Sequence, residues 1–152
     1  MRVEHQRPPT AGFTMVELII TIVMMGLVLA IAIPRLQQAE GIWGASRVAG
    51  VLANDLENAF SLAARQRRPV RLSCACGSQQ YGVTDRSTGA TLLTRSLGDG
   101  IIYHVAALTF SSPTVDIFPA GIASAPLLVT VTVGQSTKQI SMTQAGRVRV
   151  LP

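Results

Sequence analysis

Three small groups of residues in this chain have types and spacings that could do chemistry. The first is Glu17, one acid just inside the apolar run 18–33. At the centre of a membrane span an ionisable side chain costs roughly 3 kcal/mol or more, which makes one placed there a functional candidate. The second is Cys74 and Cys76, separated only by Ala75. In an extended strand their Cα atoms would lie about 6.6 Å apart, near the upper limit for a disulfide, so a local Cys74–Cys76 bridge is open to them. The third is Gly146-Arg147-Val148-Arg149. On a strand, residues two apart share a face, so Arg147 and Arg149 should project together while Val148 and Val150 turn toward the core. Two guanidiniums at about 6.6 Å spacing match neighbouring phosphates, Gly146 permits a tight turn and a close ligand approach, and Lys138 extends the stripe. The alternative for these arginines is a solvated edge strand whose charges discourage edge-to-edge pairing.

These residues need elements to hold them. The apolar run is about twenty residues, enough to cross a bilayer as a helix. Pro34 should bend that helix, and Gly41 and Gly44 around Ile42-Trp43 make the next segment pliable. From Ala45, apolar residues recur at spacings of three and four through Val48, Ala49, Leu52, Leu56, Ala59, Phe60 and Ala63, the pattern of an amphipathic helix that packs on a sheet. Asn54, Asp55, Glu57 and Asn58 fall mostly on the other side. The helix should end near Arg65-Gln66-Arg67-Arg68, with Pro69 as a stop. Those arginines suit the helix dipole; phosphate binding is the other reading. Beyond Pro69, short alternating runs predict strands over 70–73, 79–84, 91–96, 101–105, 115–118, 127–133, 138–142 and 147–151. The fold class is α+β: a long N-terminal helix, its first half membrane-spanning, packed on antiparallel β-sheet.

The whole is 152 residues with formal charge +5 and pI about 10.2, so anionic partners such as nucleic acid, lipid headgroups or an acidic subunit are favoured. No acid follows Asp116. Catalysis is not indicated: past the N-terminal segment the one histidine, His104, falls in an expected strand and has no triad spacing to Ser111, Ser112 or Asp116. No glycine-rich phosphate loop occurs, and ligands for a zinc site are too few. Neither a metal nor a cofactor is expected.

The N-terminal stretch Gly12-Phe13-Thr14-Met15-Val16-Glu17 resembles the class III signal of type IV pilins and type II secretion pseudopilins. The resemblance implies that a prepilin peptidase cuts between Gly12 and Phe13 and N-methylates Phe13, and that Glu17 registers each subunit in a filament. Physically, the ammonium freed on Phe13 could meet Glu17 four residues on, and an acid in the first turn suits the dipole. An ordinary signal peptide, with Ala30-Ile31-Ala32 as its cleavage site, is the alternative; it leaves Glu17 unexplained, and a plain anchor leaves Gly12 unexplained too. The domains implied are a leader at 1–12, a transmembrane and filament-core helix at 13–33, the rest of the helix at 34–68 and a β-rich globular part at 69–152. Removing the leader takes away Arg2, Arg7 and Glu4, leaving about +4.

The globular part resembles the GspH/FimT branch of pilin-like proteins, through Leu62-Ala63-Ala64-Arg65 to Arg68-Pro69-Val70, Phe118-Pro119-Ala120-Gly121 and Ala145-Gly146-Arg147-Val148. FimT-type minor pilins carry a G-R-x-R element that binds DNA, and Gly146 to Arg149 match it. The resemblance implies a minor type IV pilin that binds extracellular double-stranded DNA, through its backbone and without sequence preference, for uptake in natural transformation. It implies prepilin peptidase and other major and minor pilins as partners. It further implies single-pass placement in the bacterial inner membrane, with a periplasmic globular part that enters a pilus or pseudopilus. In that oxidising compartment disulfides persist. The alternatives are a GspH-like minor pseudopilin of type II secretion and a minor pilin that only primes pilus assembly.

Overall fold

A computed structural model describes residues 12–98 and 102–151, with the side chain of Gln37 left aside. The leader residues 1–11 and Ile101 lie outside the described residues. The chain divides into two units, 1–37 and 38–152.

The first unit is the opening part of helix α1 (Met15–Gln66). Its start is a capping arrangement: the Glu17 N–H donates to the Thr14 hydroxyl at 3.2 Å, and Leu18 N–H donates to the Thr14 carbonyl. Thr14-x-x-Glu17 is thus a capping-box sequence, with the acid in the first turn. The apolar residues that follow are exposed in the isolated chain, and the helix is long and apolar enough to cross a membrane. The helix continues through Pro34.

In the second unit the buried face of α1 is the one that the spacing predicts: Ala45, Val48, Ala49, Leu52, Leu56, Ala59 and Ala63 are buried, and Phe60 is half-buried. One residue departs from the expectation. Asp55 is 2% exposed, on the core side of α1 rather than with Asn54, Glu57 and Asn58. Gly41 and Gly44 serve close packing: a Cβ on Gly44 would lie 2.9 Å from Val133 Cγ1, and one on Gly41 3.2 Å from Ser136 Oγ. Trp43 is 76% exposed, so it is not a packing residue within this unit.

After Gln66 the helix stops at Arg67, in the left-handed region at φ 52, with its N–H on the Ala64 carbonyl. The strands are β1 (Val70–Ala75), β2 (Gln80–Asp85), β3 (Thr91–Ser96), β4 (Val105–Phe110), β5 (Thr114–Ile117), β6 (Leu127–Val133), β7 (Ser136–Met142) and β8 (Val148–Leu151). They form two antiparallel four-stranded sheets, β3-β2-β1-β5 and β4-β6-β7-β8. Their inner faces and the buried face of α1 make one apolar core. The strand expected over 101–105 is displaced: Ile102 and Tyr103 form a turn and His104, at φ 46, precedes β4. A left-handed residue cannot continue a strand, so pairing starts at Val105, and His104 is exposed rather than in a strand.

Cys74 and Cys76 are joined as a disulfide, with their Cα atoms 5.1 Å apart. The separation is shorter than in a regular strand because β1 ends between them. Ala75, at φ −94 and ψ 67, is close to an inverse γ-turn, and Cys76 opens a single 3-10 turn.

Candidate functional site

The turn between β7 and β8 sets the two candidate arginines. Gly146 N–H donates to the Thr143 carbonyl at 3.0 Å, Thr143 N–H to the Arg147 carbonyl at 2.9 Å, and Arg147 N–H to the Thr143 hydroxyl. Gly146 has φ 77. This is a three-residue hairpin loop closed by a left-handed residue, the position that glycine fills without strain. A side chain there would also meet Gly121 O and Phe60 Cε1, each at 3.2 Å. In the direction a Cβ would take, Gly146 is therefore packed against the helix and the loop after β5.

Arg147 sits just before β8 rather than in it, and Arg149 lies opposite Ser141 on β7. Both are exposed, while Val148 between them packs on the core. Val150 departs from the expectation. It lies opposite the buried Ile140 yet stays 45% exposed, because β8 is the edge strand of its sheet. Lys138 is also displaced from the expected stripe. It shares the alternation of the buried Ile140 and Met142 and pairs with the buried Val131, whereas Arg149 shares the opposite face with Ser141. Strand periodicity thus puts Lys138 on the other side of the sheet from Arg149.

The acids of the globular unit explain which arginines are committed to structure. Asp116 takes Arg71 Nε at 2.7 Å and Nη2 at 3.1 Å, with Arg86 Nε at 3.4 Å. The Arg71 hydrogen bonds hold its carboxyl below the ordinary carboxylate range, against the opposing effect of burial. Asp85 closes the β2–β3 turn by accepting from the Ser87 and Thr88 N–H groups and the Ser87 hydroxyl, with Arg68 at 3.9 Å. These bonds, led by the hydroxyl's, lower its carboxyl as well. The buried Asp55 accepts from Tyr81 Oη at 2.6 Å and from Arg95 Nε and Nη2 at 2.8 and 2.9 Å. It ties α1 to β2 and β3. Burial first, then the bond to Asp55, pushes the Tyr81 phenol well above its usual value. Among the described residues, Arg65, Arg67, Arg147 and Arg149 have no carboxylate within 4.0 Å.

No group of three or more His, Cys, Asp or Glu side chains that could hold a metal occurs among the described residues. At the other end of the chain, Phe13 and Glu17 are exposed at the start of α1.

Residues 7–33 match the prokaryotic N-terminal methylation motif. No match is found among curated proteins. Two solved structures of the type IV minor pilin FimU of Pseudomonas aeruginosa are similar to this chain. One superposes with TM-score 0.58 at 17% identity, over 71% of this chain and 88% of that one. The other superposes with TM-score 0.57 at 17% identity, over 70% and 92%. The minor pseudopilin EpsH from the type 2 secretion system of Vibrio cholerae superposes with TM-score 0.56 at 13% identity, over 70% and 95%. The matched motif opens a long helix packed on antiparallel sheets, and the chain has a type IV pilin-like fold. Its motif implies processing by a prepilin peptidase, assembly with other pilins and membrane anchoring through the apolar helix.

Proposed function

We propose that this chain is a minor type IV pilin that binds extracellular double-stranded DNA through Arg147 and Arg149, for uptake. The observation that carries the reading is the pair itself: two exposed arginines flank a core-packed valine, with no acid partner among the described residues. The three aspartates of the described globular unit already hold arginines elsewhere, so packing gives no account of this pair. Gly146 supports the turn that presents them and makes no contact of its own with the ligand. With no recognition helix, binding is directed at the phosphate backbone, with dissociation constants on the order of 10⁻⁴ to 10⁻⁶ M. Cleavage after Gly12, N-methylation of Phe13, registration by Glu17 and a periplasmic globular unit complete the proposal.

The test is titration of the full mature chain, in neutral detergent micelles, against labelled duplex at several salt concentrations. Arg147→Gln with Arg149→Gln should weaken binding and reduce the log–log salt slope by about 0.9 per lost contact, with circular dichroism unchanged. A folded variant that binds like wild type removes this reading. It would put ahead a pseudopilin of a secretion system, for which the likeness to EpsH is nearly as strong as that to FimU, or a pilin that only primes assembly.

A further inference from the structure

The same end of the globular unit carries a second group of uncommitted arginines. Gly146 lies against Phe60, and Phe60 to Arg67 is seven residues along α1, a rise of about 10 Å. The loop after β5 is tied at its two ends to the start of β1 and to the β7–β8 turn. Val70 pairs with Ile117, the residue before that loop. The Ala123 N–H at the loop's far end donates to the Gln144 carbonyl of the β7–β8 turn at 2.8 Å, and the Arg86 N–H donates to the Pro69 carbonyl at 3.0 Å. One end of the unit is therefore built from the end of α1, the β2–β3 turn, the loop over residues 118–122 and the β7–β8 turn. Arg65 and Arg67 are at the end of α1, and Arg147 and Arg149 follow the β7–β8 turn. The loop is uncharged and presents Phe118 and Ile122, which are 36% and 53% exposed. Asp85 and Asp116 are held by Arg68, Arg71 and Arg86, and the exposed Glu57 lies eight residues before Arg65 on α1.

A helix dipole accounts for Arg65, which is in the last turn. It does not account for Arg67, which has left the helix at φ 52 and is exposed. We propose that Arg65 and Arg67 form a second anchor for the same DNA. The duplex is then held across a groove, with the uncharged 118–122 loop over the groove and one arginine pair on each flanking backbone. The separation along the protein, on the order of 10–20 Å from helix rise and strand rise, is commensurate with a major groove about 12 Å wide. An apolar loop with no hydrogen-bonding side chains reads no bases, so the grip has no sequence preference. The proposal rests on the DNA-binding reading above and specifies its substrate as duplex contacted on both strands.

The experiment compares wild type, R65Q/R67Q, R147Q/R149Q and the quadruple variant, each as the full mature chain in neutral detergent micelles. The probes are a labelled 20-base-pair duplex and its isolated strand. Each double variant should lose about 1.8 from the duplex salt slope, twice the loss of about 0.9 per contact, and the quadruple should lose the sum. Wild type should bind duplex more tightly than the isolated strand. If R65Q/R67Q keeps the wild-type slope while R147Q/R149Q loses it, the second anchor is wrong and DNA binding stands. If wild type does not bind at all, both fail. Equal or tighter binding of the single strand overturns the grip across a groove. Should R65Q/R67Q lose its near-ultraviolet circular dichroism, the single variants R65Q and R67Q are read instead, each expected to lose about 0.9.

Discussion

Replacing Asp55 should destabilise the globular unit more than any other change to a charged residue. Its carboxylate is 2% exposed and accepts three hydrogen bonds, one from Tyr81 and a bidentate pair from Arg95. Asp55→Ala leaves a guanidinium and a phenol facing an apolar gap, and breaking a buried ion pair typically costs about 3–5 kcal/mol. The Arg95 side chain keeps 33% exposure, so water can reach part of it, and the lower end of that range, about 3 kcal/mol, is expected. At about 4 °C per kcal/mol for a unit of this size, the melting temperature should fall by roughly 12 °C. Tyr81→Phe removes one bond to a charged acceptor and should cost about 1.5–3 kcal/mol. Asp55→Leu with Arg95→Met, which removes both charges, should fall well below the single variant in cost. The Tyr81 phenol supplies a separate signature with a fixed sign. Its folded value is raised, so the unfolded chain releases a proton first as pH climbs. Stability is fully present below about pH 10 and declines above it, and Tyr81→Phe should flatten that decline. Thermal melts followed by near-ultraviolet circular dichroism between pH 7 and 11 measure both effects. An Asp55→Ala variant within about 0.5 kcal/mol of wild type, the usual range for surface changes, would refute the reasoning.

Three further outcomes are expected. Gly12→Val should leave an unprocessed precursor detectable by mass, whereas Glu17→Ala should still be cut but enter filaments poorly; normal processing of the first variant counts against cleavage at that bond. Gly146→Ala should cost at least about 1 kcal/mol, because φ 77 is unfavourable for alanine and its Cβ would meet Phe60 and Gly121; a melt at the wild-type temperature would contradict the packing described. The Asp116 carboxyl is lowered by Arg71, so its contribution is present above about pH 4 and lost as pH falls through the lowered folded value. Asp116→Asn should therefore reduce the loss of stability seen in acid melts.

The parts of the fold legible in the sequence are those with a local signal. A period of three and four placed the buried face of α1, and short runs split by turn residues placed 91–96 and 127–133 as strands at the ends that β3 and β6 have. Asp55 was misplaced because its neighbours are polar and because its partners, Tyr81 and Arg95, are 26 and 40 residues away; nothing local distinguishes a solvated acid from a buried one. The signal that could have found it is positional, since Asp55 sits three residues after Leu52 and four before Ala59, within the apolar stripe. Lys138 was misread for a different reason. Counting by twos from Ile140 puts it on the core face, and only the register with β8 shows that Arg149 occupies the other one. The glycines at 41 and 44 look like flexibility until Val133 and Ser136 are seen against them.

The distribution of arginine partners also bears on function. A fold can use arginines to satisfy buried or half-buried acids, and here Asp55, Asp85 and Asp116 take Arg95, Arg68, Arg71 and Arg86. That demand is met on β1 to β3 and the segments joining them. Of the exposed arginines left over in the globular unit, Arg47 lies near the start of the unit's part of α1, whereas Arg65, Arg67, Arg147 and Arg149 lie in the two regions to which the uncharged 118–122 loop is tied. Exposed like charges gathered at one end repel each other and add nothing to packing; on the edge strand β8 Arg149 also discourages edge-to-edge pairing, an account that does not extend to Arg65 and Arg67. A polyanion relieves the repulsion and releases its own counterions on binding. The grouping of cations where the core needs none is thus the feature on which the proposed DNA binding rests.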